Sequence, residues 1–143
     1  MYSVYMQEAE VVRFETVAEA RRGFKGMLDM AESGAATTLR RGNEVFAVMS
    51  VEALRPALLA AVGTAPEVVF ENDGVGIVLP GMPFASEGDS VDDAALDLID
   101  ALREYGEDWP QLRHAPNHRR MQTLVALVEI STDEELAAWL TGR

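Results

Sequence analysis

Four acidic residues, Asp73, Asp89, Asp92 and Asp93, are enough carboxylates to hold the two metal ions of a nuclease, and His114 and His118, four apart, could present two imidazoles from one helix face. Their positions weigh against both chemistries. Asp73 falls in a turn signal, while Asp89, Asp92 and Asp93 crowd the start of a helical segment, where acids complement the helix dipole. Pro116 interrupts the two histidines and no third ligand lies nearby. The chain contains no Cys, which excludes a thiol nucleophile, a disulfide framework and a Cys-rich zinc module. The sequence therefore reads as a non-enzyme with no metal and no cofactor.

What remains is binding chemistry. Arg13, Arg21, Arg22, Lys25, Arg40 and Arg41 supply cations able to neutralise phosphate, and bidentate Arg can read guanine. Further along, Asp97 and Glu104 belong to a run of acids, and Trp109, Leu112, Leu136, Trp139 and Leu140 are the residue types that anchor protein interfaces or close a core. His118-Arg119-Arg120 is the one basic cluster of the acidic half and reads as a loop touching acids of its own domain.

These groups are segregated by charge. Across 143 residues the formal charge is −12, but residues 1–62 hold 7 basic and 8 acidic side chains while residues 63–143 hold 5 and 16. Such asymmetry implies two electrostatic roles: a near-neutral part with clustered arginines that can meet phosphate, and an acidic part suited to a basic partner. No apolar run approaches the roughly 20 residues of a membrane span, and Met1 to Glu10 lacks a basic-then-apolar signal pattern, so the expectation is a cytoplasmic protein with no membrane partner.

The elements that must position these residues follow from periodicity. Val11 to Phe14 reads as a strand, and Thr16 with Glu19 has capping-box spacing ahead of a helix whose apolar positions are Val17, Ala20, Phe24, Met27, Leu28 and Ala31, stopped by Gly34. Thr37 to Arg40 and Glu44 to Met49 flank an Arg41-Gly42-Asn43 turn, and Ser50 caps a helix through Leu59 that Pro56 must kink or restart. Met1 to Glu8 reads as an arm or an extra strand.

Val62 to Pro66 looks like a linker, which divides the chain into domains 1–62 and 66–143. Beyond it, Glu67 to Glu71 and Gly76 to Leu79 flank the hairpin signal Asn72-Asp73-Gly74, and a third strand spans Phe84 to Glu87. Ser90 and Asp93 cap a helix with the stripe Val91, Ala95, Leu98, Leu102, Tyr105 and Trp109, which Pro110 should end. In the helical tail 111–141, Leu124 to Ile130 reads as helix, with a buried strand as the other reading, and Thr132 with Glu135 caps a last helix.

In residues 10–60, Ala20-Arg21, Leu28-Asp29, Glu32-Ser33-Gly34, Leu39-Arg40-Arg41-Gly42, Val45-Phe46-Ala47-Val48 and Ser50-Val51-Glu52-Ala53-Leu54 resemble the Phd/YefM, or prevent-host-death, antitoxin family. That resemblance implies a dimerising, operator-binding domain that represses its own operon, with Arg13, Arg21, Arg22, Lys25, Arg40 and Arg41 as candidate DNA contacts.

In residues 66–108, Val69-Phe70-Glu71-Asn72-Asp73-Gly74, Val78-Leu79-Pro80-Gly81-Met82-Pro83, Gly88-Asp89-Ser90-Val91-Asp92-Asp93-Ala94 and Ala101-Leu102 resemble the HicB antitoxins. The resemblance implies a partial ribonuclease-H-like fold of three strands and a helix that binds a toxin or oligomerises. The fold class expected is thus α+β: a small Phd/YefM-like domain, then a HicB-like sheet and helix with a helical tail. The function expected is the antitoxin of a type II pair, which neutralises an mRNA-cleaving ribonuclease of the RelE or HicA kind through Asp97, Glu104, Trp109, Leu112, Leu136, Trp139 and Leu140 and binds operator DNA as a homodimer or higher oligomer. The alternative is a stand-alone repressor or oligomerising scaffold without a toxin.

Overall fold

Short-range signals build most of the elements. A computed structural model describes residues 12–143 as a mixed α+β chain with two three-stranded sheets and six α-helices. Val11, in the expected first strand, and the arm Met1 to Glu8 lie outside the described residues. The chain divides into two compact units, one ending at Leu54 and one beginning at Arg55.

The first unit contains β1 (Arg13–Phe14), α1 (Val17–Arg22), α2 (Phe24–Glu32), β2 (Thr37–Arg41) and β3 (Glu44–Val48). β1 runs parallel to β2 and β2 antiparallel to β3. Gly42, at φ 61°, supplies the positive dihedral that opens the two-residue hairpin turn. Thr16 caps α1, its hydroxyl accepting from the Glu19 amide at 3.1 Å, whereas the Glu19 carboxylate reaches one residue further back, to the Glu15 amide. The single helix expected from Thr16 to Gly34 is two helices broken at Gly23. The cause is tertiary: a Cβ at Gly23 would lie 2.6 Å from the Phe14 ring, so this junction packs directly on β1.

α3 (Val51–Ala61) runs unbroken through Pro56, with Ser50 accepting from the Ala53 amide. The division between units falls inside it. Arg55 donates to Ser131 Oγ at 2.9 Å and to the Glu135 carbonyl at 3.3 Å, and Leu58, Leu59 and Val62 join the second core, so residues 55–62 pack with the second unit and not with the domain 1–62 in which the sequence groups them.

In the second unit β4 (Glu67–Glu71), β5 (Gly74–Leu79) and β6 (Phe84–Gly88) form an antiparallel meander. Asn72 and Asp73 make the first turn, and Gly74 starts β5 opposite Glu71, which lengthens the expected strand by two residues. α4 (Val91–Leu112) starts at Ser90, whose hydroxyl accepts from the Asp93 amide. The helix lies so close to β6 that a Cβ on Gly88 would stand 2.5 Å from the Ala94 nitrogen. Pro110 does not end α4, which runs on to Leu112.

A 3₁₀ turn at Arg119–Met121 leads into α5 (Gln122–Ile130), then α6 (Asp133–Thr141) with a complete capping box between Thr132 and Glu135. Residues 122–130 are helical, so of the two readings of that segment the helix is the one formed. Ile77, Leu79, Leu98, Leu102, Leu124 and Leu127 are among the residues of one closed core.

Candidate functional site

Strand parity decides which cations of the first unit can act together, since alternate residues point to opposite faces. Register partners Arg13 with Thr38 and Arg40 with Val45 put Arg13, Arg40 and Val45 on one face, while Phe14, Leu39 and Phe46 occupy the other, against which Gly23 packs. Arg13 and Arg40 therefore share the sheet face away from the helices. Arg40 is ion-paired there with Glu15 at 3.5 Å.

Arg41, although next in sequence, lies on the opposite face, where it pairs with Glu44 at 3.6 Å and sits 5.4 Å over the Phe46 ring. Lys25 is bound to Asp29 at 3.1 Å on α2. Arg21 and Arg22 are exposed in the last turn of α1 and, like Arg13, make no ion pair with a described residue. The sheet thus separates Arg13 and Arg40 from Arg41, and Arg21, Arg22 and Lys25 are on the helices.

The unit leaves apolar surface beside these cations. Only Ala20, Met27 and Ala31 are buried among its described hydrophobic residues, whereas Phe24 is 58% exposed, Leu28 47% and Val45 56%. Three of the six apolar positions expected on the inner helix face, Val17, Phe24 and Leu28, are exposed.

In the second unit Asp97 and Glu104 are exposed on α4, as an interface requires. Asp97 accepts from the Glu87 amide at 3.3 Å and joins Glu71, Asp73, Glu87 and Asp89 around an open concavity of about 1260 Å³ at the sheet. Trp109, Leu112 and Trp139 are half-buried, with both indoles packed on the core. Leu136 and Leu140 are correctly seen as apolar helix positions but not as contact residues. Both are wholly buried, and they fasten α6 to its own unit.

Sequence reasoning missed the two apolar side chains that do stand out. Phe70, on edge strand β4, is 74% exposed, and Leu96, on α4, is 57% exposed amid Asp92, Asp93 and Asp100. The signal for Leu96 was its place outside the stripe, on the acidic side of the helix.

The sequence also gave no sign of two arginine clamps. Arg103 donates to the Val128 carbonyl, to the Ser131 carbonyl at 2.7 Å and to Asp133 at 2.8 Å. Arg55 is the other, and it pairs with Glu135 at 3.4 Å. The amide of Thr132 hydrogen-bonds the Glu135 carboxylate and holds its pKa below the ordinary 4.5, with the Thr132 hydroxyl and Arg55 acting in the same direction against some desolvation.

Of the residues considered for catalysis, Asp73 and Asp89 line the sheet concavity, whereas Asp92 pairs with Arg143 at 3.3 Å and His118 is hydrogen-bonded through Nδ1 to the Tyr105 hydroxyl at 2.7 Å. Among the described residues no three His, Cys, Asp or Glu side chains come together as a metal site. None of the described helices is long and apolar enough to cross a membrane.

Comparison with protein-family models and with curated proteins returns no match. Among solved structures, the chain is similar to a crystal structure from Syntrophomonas wolfei subsp. wolfei of a protein described as an antitoxin part of a toxin/antitoxin system. The TM-score is 0.67 at 18% identity, covering 88% of this chain and 94% of that one, so the two share a fold.

Proposed function

We propose that the chain is the antitoxin of a type II toxin–antitoxin pair, a non-enzymatic regulator that neutralises a basic, mRNA-cleaving toxin and represses its own operon by binding operator DNA. The observation that carries this reading is a fold likeness to a protein described as an antitoxin part, which spans 88% of the chain and so includes both units. In this reading the first unit is a Phd/YefM-like homodimer. A second copy covers Phe24 and Leu28 on α2, and the paired units present Arg13 and Arg40 on the other sheet face, together with Arg21 and Arg22 on α1, to the DNA backbone. Arg41 and Lys25 act at the margin, as each already has an acidic neighbour.

The second unit is the HicB-like toxin-binding module. Its 16 acids match a cationic RNA-binding groove, with Asp97 and Glu104 as charged contacts and Trp109, Leu112, Trp139, Phe70 and Leu96 as the apolar ones. The test is co-purification of the tagged chain with the product of each adjacent gene, followed by gel shift of the complex on the upstream intergenic DNA. A complex that shifts the DNA is expected. A shift with no partner leaves a stand-alone repressor, and neither partner nor shift overturns the proposal. In the same assay Arg13→Ala with Arg40→Ala should weaken DNA binding and reduce its salt slope by about one for each phosphate contact removed, with toxin binding intact.

A further inference from the structure

Three arginines of the second unit are engaged by acids: Arg55 with Glu135, Arg103 with Asp133 and Arg143 with Asp92. The other three, Arg113, Arg119 and Arg120, are exposed, lie within eight residues of one another and form no ion pair with a described residue, in a unit that carries 16 acids. Helix stabilisation explains only Arg113, which follows the last turn of α4, where a cation complements the dipole. Arg119 and Arg120 precede the N-terminus of α5, where the dipole disfavours a cation, and no side chain caps that helix. The expected contact of this cluster with acids of its own domain is not formed among the described residues.

The loop that carries them is held in place. Met121 is buried in the core, His118 is fixed to Tyr105, and consecutive turns are closed by Ala115 N–H to the Leu112 carbonyl and His118 N–H to the Ala115 carbonyl, both at 2.9 Å. Burial raises the pKa of the Tyr105 hydroxyl. A concavity of about 420 Å³ is lined there by Trp109, Arg113, His114, Arg119 and Gln122, the last being the first residue of α5. Trp109 and Arg113 are one turn apart on α4, whereas Asp108 and Glu107 are rotated about 100° and 200° from Trp109 and so point elsewhere.

From this juxtaposition we infer that the concavity is a nucleotide-binding site: Arg113 and Arg119 take a phosphate, and Trp109 stacks the base. Arginine is a recurrent means of holding a phosphate, an indole face accepts any base, and the volume is at the lower end for a small-molecule site. A free nucleotide and the end of a single strand both supply such a phosphate and share this chemistry. The site lies wholly within the second unit and uses none of the candidate operator contacts.

Trp109 is itself the reporter, because the chain has only one other indole. In the full chain carrying Trp139→Phe, adenosine monophosphate should quench Trp109 emission saturably, and adenosine should not. Calorimetry on the chain with both tryptophans should return the same affinity. Arg113→Ala with Arg119→Ala should weaken binding by about tenfold or more while circular dichroism is unchanged. A 5′-phosphorylated oligoadenylate that binds more tightly than the mononucleotide would identify a strand end as the source, and equal or weaker binding the free nucleotide. The inference is overturned if neither ligand binds at millimolar concentration, if binding survives removal of both arginines, or if it is lost instead in Arg40→Ala with Arg41→Ala.

Discussion

The two units solve the problem of burying apolar surface in opposite ways. From Arg55 onward, a three-stranded sheet and four helical segments enclose a core in which Ile77, Leu79, Leu98, Leu127 and Leu136 are wholly buried. Up to Leu54, the described hydrophobic residues that are buried are Ala20, Met27 and Ala31, and the large side chains Phe24, Leu28, Val45 and Phe46 are exposed. Under the proposed function, this exposed apolar surface is what a second copy covers. The acidic unit can keep its surface for a different partner because its own core is closed.

This contrast can be broken by substitution. The largest effect is expected from Phe24→Ser with Leu28→Ser: at exposed positions of a monomer the pair would be nearly neutral, but in a symmetric interface each change counts twice and should cost about 4 kcal/mol of association. Sedimentation should then show monomer in place of dimer. Next, Leu102→Ala in the closed core should cost about 3 kcal/mol, read in urea as a loss confined to the second unit's transition, with oligomeric state unchanged.

Thr37→Val sharpens the comparison from the other side. The Thr37 hydroxyl is buried with no hydrogen-bond partner among the described residues, so its removal should stabilise the first unit by about 1 kcal/mol in thermal melts. The smallest effect concerns pH. Because the Glu135 pKa is lowered by folding, the stability it contributes is present above pH 4.5 and is lost as the pH falls through its folded value; Glu135→Gln should flatten that acid limb in melts at graded pH.

Local chemistry was legible in the chain and long-range contact was not. The Gly42-Asn43 hairpin, the Ser90 cap and the Thr132–Glu135 capping box depend on residues within four positions of one another, and each formed where its spacing says. The break at Gly23 depends on Phe14 across a sheet, and the clamps of Arg55 and Arg103 close over 76 and 28 residues, so no periodic pattern announces them. Among the candidate site residues, type was readable but direction was not. Arg40 and Arg41 looked like one pair, yet the alternation of the strand they occupy already separates them onto two faces. Leu136 and Leu140 show the same limit, because helical spacing alone does not distinguish a core stripe from an interface stripe.

The claim most open to direct test is that the first unit completes its core with a second copy while the second unit is complete alone. Scanning calorimetry of the full chain across a hundredfold dilution, with the two transitions assigned by Leu102→Ala, measures this. The account predicts that the first unit's transition moves to lower temperature on dilution while that of the second unit stays fixed. Two transitions that both ignore concentration, from a chain sedimenting as a monomer, would contradict it.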